Sequence, residues 1–158
     1  MIGYVFWTLL IWCIAFYIHE HMHGIEHIRQ GGTGYRIKFT WYKIGILPIP
    51  SMYILFEGEH KNRSMVLLAG GLYTSVLLFV TAFLFYFSII MHTSETQGKW
   101  IADYEILYAL LLNGVVQWFY GYYEMIFLDK VEHKSYMLGH YVVYVVVITV
   151  FTVGWFTL

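Results

Sequence analysis

The sequence predicts an all-α membrane protein of about four transmembrane helices, with a short re-entrant or interfacial β-hairpin-like segment between the first two. Three observations predict it. Hydrophobic residues make up 59% of the chain and charged residues only 12%, against about 25% charged in a typical soluble domain. Four apolar segments, near 4–30, 65–91, 104–128 and 137–158, each approach or exceed the roughly 20 residues a helix needs to cross the hydrocarbon core. The connections between them alternate in basic content, as the loops of a multi-pass protein do. The 158 residues are expected to form a single integral membrane domain.

The first segment is apolar from Tyr4 to Ile18 and continues as a helix through a run of histidines to about Gln30. It stops at Gly31-Gly32-Thr33-Gly34, a strong breaker cluster. No Lys or Arg precedes it and no small-residue cleavage site follows, so a retained span is expected rather than a cleaved signal. Next, Tyr35-Arg36-Ile37-Lys38-Phe39 alternates like a strand, and Trp41 to Ile49 is rich in aromatic and branched residues. Pro48 and Pro50 exclude a central strand and favour an edge or turn. This stretch reads either as a hairpin dipping into the membrane interface, against protein or a wet cavity, or as an amphipathic loop that only connects two helices. The second, third and fourth spans follow, centred on Met65–Met91, Ile106–Leu128 and Met137–Leu158.

The connection from Gly24 to Ser64 carries Arg29, Arg36, Lys38, Lys43, Lys61 and Arg63, and that from Asp129 to Tyr136 carries Lys130 and Lys134. The connection from His92 to Asp103 carries only Lys99, and neither terminus carries a basic residue. The excess of positive charge places the two basic loops in the cytoplasm and both termini outside. The His19/His23 end of the first helix then lies toward the cytoplasmic side. A net charge of −1 gives no basis for nucleic-acid binding. The single cysteine, Cys13, excludes a disulfide framework.

The chemistry concentrates in Ile18-His19-Glu20-His21-Met22-His23-Gly24-Ile25-Glu26-His27. Four histidines and two glutamates fall within nine residues, continuing a membrane-type helix. Ionisable residues there are costly unless they face protein or trapped water, and they are functional candidates by default. His19-Glu20-x-x-His23 is the H-E-x-x-H pattern: residues four apart share a helix face, so both imidazoles can meet one metal ion. Glu20, one position round, can act as general base on a metal-bound water. Zn2+ is the first choice, because two imidazoles, one carboxylate and an open position form its hydrolytic pattern. His27 and Gln117 are candidates to orient a ligand ring from behind, and Glu26 is a candidate third ligand.

A third ligand from another helix would make a better pocket. Glu124 is a lone acid deep in the third span, where an unpaired carboxylate costs about 3 kcal/mol. Four spans make the third helix parallel to the first and bring Glu124 to the depth of His19 and His23. Asp129 is the alternative, one to two turns nearer the water beside Lys130, Glu132 and His133.

These motifs, in this order, resemble the site-2 protease family of intramembrane zinc metalloproteases. The resemblance rests on His19-Glu20-x-x-His23 on the first core span with a Gly-rich break and strand-like stretch after it. It rests also on Leu68-Ala69-Gly70-Gly71-Leu72-Tyr73-Thr74 opening the next span, similar to the family's Ala-Gly-Pro-x-x-Asn with Gly71 at the proline position and Thr74 at the asparagine position. Asn113 matches an Asn of the family's third core span, but Gly121 stands where the family's metal-binding Asp-Gly begins, and no Asp-Gly occurs in the chain.

The resemblance implies a minimal, divergent member: a zinc metalloendopeptidase in which Glu20 moves the proton and Asn113, or Gln117 one turn on, donates to the oxyanion. It implies that Gly70, Gly71 and Thr74 face substrate, although small-residue helix packing that lets the second span approach closely explains the two glycines as well, and that an extended substrate pairs with the edge of the Tyr35–Pro50 segment. The substrate class it implies is a membrane peptide or single-span protein, with the lipid bilayer as surroundings and an accessory membrane protein as a further partner.

Two other classes fit parts of the sequence. A haem- or metal-binding membrane redox protein would use the histidine-rich helix, with His140 opposing the cluster. A non-catalytic module could sense or carry metal or protons through the same histidines. Glu20 separates the readings, since only the hydrolytic site needs a glutamate beside its first histidine.

Overall fold

A computed structural model describes residues 2–44, 47–92 and 100–127, together with the single helical positions Val142, Val145, Val146, Thr149 and Val153. The described residues are mostly helical. They form α1 (Ile2–Arg29), α2 (Arg63–His92) and α3 (Trp100–Phe127), with a two-stranded antiparallel hairpin between the first two helices, β1 (Gly34–Ile44) and β2 (Leu47–Glu57). The expected spans near 4–30, 65–91 and 104–128 correspond to these helices within a few residues at each end. The fourth, 137–158, falls almost wholly outside the described residues, as do Asp129 and His140.

Two of the helices are long and apolar enough to cross a membrane, over Gly3–Arg29 and Arg63–Met91. α3 is not among them, because Glu105, Asn113, Gln117, Glu124 and several tyrosines dilute its apolar residues. The distribution of residues is inverted relative to a soluble bundle. Phe6, Ile14, Phe83, Leu84, Met91 and Phe119 are exposed, while His19, Glu20, His23, Thr74, Asn113, Gln117 and Glu124 are buried. Extensive exposed apolar surface over an interior that holds many polar groups marks contact with another apolar phase or partner.

α1 and α3 run parallel at a constant offset. Asn113 Nδ2 donates to the carbonyl of Thr8 at 3.3 Å, and His19 Nε2 lies 2.8 Å from Glu124 Oε2, each pair 105 positions apart. α2 runs antiparallel to both. Ala15, Ala82 and Ala109 sit at the centre of the seam with Ile11, Leu78 and Leu110, small residues that let helix backbones approach closely. Further along, Gly71 and Gly121 meet backbone to backbone, and a Cβ on Gly71 would overlap the Gln117 carbonyl and the Gly121 backbone.

α1 ends in a Schellman motif. The N–H of Gly32 donates to the His27 carbonyl at 3.0 Å and that of Gly31 to the Ile28 carbonyl at 3.0 Å. Gly31 has φ of 107°, a conformation that a side chain would disfavour. The hairpin pairs Gly34 with Glu57 through to Ile44 with Leu47. Both strands of a two-stranded sheet are edges, so β2 accommodates Pro48 and Pro50, whose missing N–H groups would break an interior ladder. The hairpin packs against α1 and against no other helix among the described residues.

Candidate metal centre

The site is built where the C-terminal half of α1, the first turns of α2 and the last turns of α3 meet. Helical spacing puts His19 and His23 on one face, with Nε2 atoms 2.9 Å apart. His19 Nδ1 lies 2.8 Å from Gln117 Oε1 and His23 Nδ1 lies 2.7 Å from the Val66 carbonyl. Both partners can only accept, so each imidazole donates from Nδ1. A neutral imidazole carries one N–H, so both Nε2 atoms present lone pairs. Those lone pairs converge on Glu124 Oε2 at 2.8 Å from His19 and 3.0 Å from His23.

Three acceptors facing one point repel one another unless a cation, a proton or a metal ion, lies among them. Buried His19, His23 and Glu124 therefore form a group that could hold a metal ion. Their separations of 2.8–3.0 Å are close to the edge of about 3.3 Å expected for a tetrahedron with bonds of 2.0–2.1 Å.

The surroundings fix this geometry. Asn62 caps α2 through Oδ1, which accepts from the Met65 N–H at 3.1 Å, a standard N-cap contact. The cap aims the first turn, and with it the Val66 carbonyl, at His23. Gly70 lies one turn later, and a Cβ there would overlap the His23 imidazole and stand 2.8 Å from His19 Nε2. Tyr120 packs over His19 with ring centroids 4.8 Å apart, and Phe16 stacks on the same ring at 6.1 Å.

Glu20 is 5% exposed and within electrostatic reach of His23 and Glu124. Among the described residues its carboxylate has no hydrogen bond or ion pair. The other buried carboxylate of the motif is fully engaged. Glu26 accepts from Arg29 Nε at 2.8 Å, Arg29 Nη2 at 2.9 Å, Gln30 Nε2 at 2.7 Å and Tyr73 Oη at 3.2 Å. Glu26, expected as an alternative third ligand, is thus a clasp between the end of α1 and α2.

His27, expected behind a ligand ring, instead donates from Nε2 to the Glu57 carbonyl at 2.8 Å and meets His60 with Nδ1 atoms 3.1 Å apart. It anchors the base of the hairpin, as His21 does through the Tyr35 hydroxyl at 3.0 Å. Partial burial and the nearby His27 and Arg63 push the His60 imidazole below its ordinary pKa.

Asn113 is not brought to the site. It lies eleven residues before Glu124, about 16 Å along the axis of α3, and its amide donates to the carbonyls of Thr8 at 3.3 Å and Ala109 at 2.9 Å. Gln117 is brought there as the acceptor that orients His19, the supporting role expected for it, and not as an oxyanion donor. Of the positions expected to face substrate, Gly71 packs on the α3 backbone, Gly70 lies against the imidazoles, and Thr74 is fully buried on the same face of α2.

Sequence reasoning missed the Val66 carbonyl, which as a backbone group leaves no composition signal. It also missed Tyr73 as the partner of Glu26 and His60 as the partner of His27. Tyr73 had a signal, being three residues after Gly70 on a helix read as approaching the site. No protein-family model, curated protein or solved structure matches this chain.

Proposed function

We propose that this chain is an intramembrane zinc metalloprotease, a minimal relative of the site-2 proteases, that hydrolyses a peptide bond in or near the membrane segment of a small membrane protein or peptide. The observation that supports it most is the pairing of two kinds of buried acid. Glu124 converges with two Nε2 lone pairs, and Glu20 stands unpartnered beside them. A site that only stored or sensed metal has no use for the second carboxylate.

His19, His23 and Glu124 would hold the ion. Zinc in such a site acts as a Lewis acid and acidifies a coordinated water toward a pKa of about 7. Glu20 accepts a proton from the attacking water and returns it to the leaving amine. Gln117 and the Val66 carbonyl keep both imidazoles with Nε2 forward, so the ligand set needs no rearrangement before each cycle. The substrate has to be extended to expose its backbone. The open edges of the hairpin, which is anchored at its base beside the site, offer strand pairing for that purpose. The helices cross the bilayer with both termini outside and the metal centre toward the cytoplasm, where the basic residues from Arg29 to Arg63 cluster.

The test combines metal analysis with cleavage. The purified chain is expected to carry about one zinc, retained in Glu20→Gln and lost in His23→Ala and Glu124→Gln. A pool of synthetic single-span peptides, mixed with the chain in detergent and followed by mass spectrometry, should yield fragments with wild type and none with Glu20→Gln. Stoichiometric haem iron, or zinc without any cleavage that depends on Glu20, would remove the protease reading in favour of a redox or a metal-handling protein.

A further inference from the structure

The seam between the three helices carries buried polar groups that run from the metal centre toward the start of α1, where a membrane bundle has most reason to be dry. Tyr4 is 1% exposed, Thr8 5%, Asn113 2%, and Thr74 and Gln117 0%. They form a sequence in space. Asn113 Nδ2 touches the carbonyl of Thr8, and Gln117 follows Asn113 by one turn on the same face of α3. Thr74 lies on α2 between the level where Gly71 meets Gln117 and the level where Phe79 meets Gly114. Gln117 ends the line on His19 Nδ1 at 2.8 Å.

Two atoms along this line, Thr8 Oγ1 and Thr74 Oγ1, are buried with no hydrogen bond among the described residues. Asn113 donates twice through Nδ2. Buried polar groups in native structures are almost always satisfied, and ordered water is the usual partner where protein supplies none. A buried water needs two to four polar neighbours; Thr8 has Asn113 against its own carbonyl, and Thr74 lies one turn along α2 from Gly71, whose backbone meets the Gln117 carbonyl.

We infer that internal water occupies this seam and links the metal centre to the end of the bundle opposite the hairpin. The line gives the site a second approach for water or protons, separate from the face where the hairpin stands and a peptide would enter. A hydrolytic site in a bilayer consumes one water per turnover, and a bound substrate would obstruct the hairpin side. Only the purpose assigned to the line rests on the hydrolytic reading; its existence rests on burial and unmet hydrogen bonds.

The test uses the wild-type chain in nanodiscs, deuterated and methyl-labelled at threonine and alanine. Magnetisation transfer from water to the methyl groups is measured by solution NMR. Thr8 and Thr74 are expected to show water cross-peaks, whereas Ala15 and Ala82, equally buried in the apolar part of the seam, are expected to show none. Thr8 and Thr74 methyls as dry as Ala15 would overturn the inference. Zinc content reports separately on the metal centre, so the line and the hydrolytic site can fail independently.

Discussion

Replacing Gly70 by alanine tests the candidate centre more sharply than removing a ligand, because it leaves every proposed ligand in place. The added Cβ would overlap the His23 imidazole and stand 2.8 Å from His19 Nε2. Non-bonded contacts settle at about 3.5 Å, so the His19 ring would have to retreat by roughly 0.7 Å and the His23 ring by about 1 Å. Metal coordination tolerates about 0.2 Å. Neither ring has room to comply. His23 is tied to the Val66 carbonyl at 2.7 Å, and His19 is tied to Gln117 at 2.8 Å and enclosed by Tyr120 and Phe16.

Backing α2 away would open the Gly71–Gly121 contact. Overpacking of this kind costs about 1–3 kcal/mol, offset in part by the roughly 0.5–1 kcal/mol that alanine gains over glycine within a helix. Zinc affinity should fall by at least about 100-fold, the upper end for disturbing a supporting contact, as measured by competition against a chromogenic chelator. Gly114→Ala is the control. Its Cβ meets the end of the Phe79 ring, 2.7 Å away, at a level of the bundle remote from the ligands, and zinc affinity should stay at the wild-type value. Wild-type affinity in Gly70→Ala would refute the arrangement of the two imidazoles around one ion.

Further outcomes follow from the same geometry. Gln117→Leu removes the acceptor for His19 Nδ1 and should weaken zinc about 10- to 100-fold while the chain stays folded; Gln117→Glu, which keeps an acceptor there, should recover much of the loss in the same titration. Glu26→Gln should leave zinc content unchanged and lower the thermal midpoint, since its carboxylate serves Arg29, Gln30 and Tyr73; loss of zinc would restore Glu26 as a ligand. Asn113→Leu should likewise retain one zinc per chain by mass spectrometry.

Acid should loosen the hairpin base. The His60 imidazole has a folded pKa below its ordinary 6.5, so the unfolded chain binds more protons there and stability falls as pH drops below about 6.5. Hydrogen-exchange protection of the Thr33 amide, which donates to the Glu57 carbonyl at 2.9 Å, should decline over that range and decline less in His60→Gln.

Much of the framework was legible because it follows from length and period. Long apolar segments admit few structures, and the end of α1 follows from Gly31-Gly32. The strand alternation in Tyr35–Phe39 was also readable, although the prolines hid how far β2 extends. In a two-stranded hairpin both strands are edges, which is where Pro48 and Pro50 are expected. The placement of Glu124 beside His19 came from depth: two parallel helices keep a constant offset, and Thr8–Asn113 and His19–Glu124 share it. The same arithmetic counted against Asn113 from the outset. Eleven residues on one helix are about three turns, so Asn113 and Glu124 could never serve one metal-bound group, and the resemblance to a family motif obscured that.

What the sequence could not rank was its buried acids. Glu20 and Glu26 stand in a run of histidines and Glu124 among apolar residues, and all three are buried. Their chemistry is set by what other elements bring to them. Arg29, Gln30 and Tyr73 satisfy Glu26, and a satisfied carboxylate is held in place as structure. Two imidazoles turned forward by Gln117 and Val66 bring Glu124 into a group that could hold a metal ion, since a shared cation would reconcile three acceptors within 3.0 Å. Nothing among the described residues satisfies Glu20. A buried carboxylate left without a partner beside such a cluster is retained at a cost in stability, and under the proposed hydrolytic reading proton transfer at that point would account for the cost.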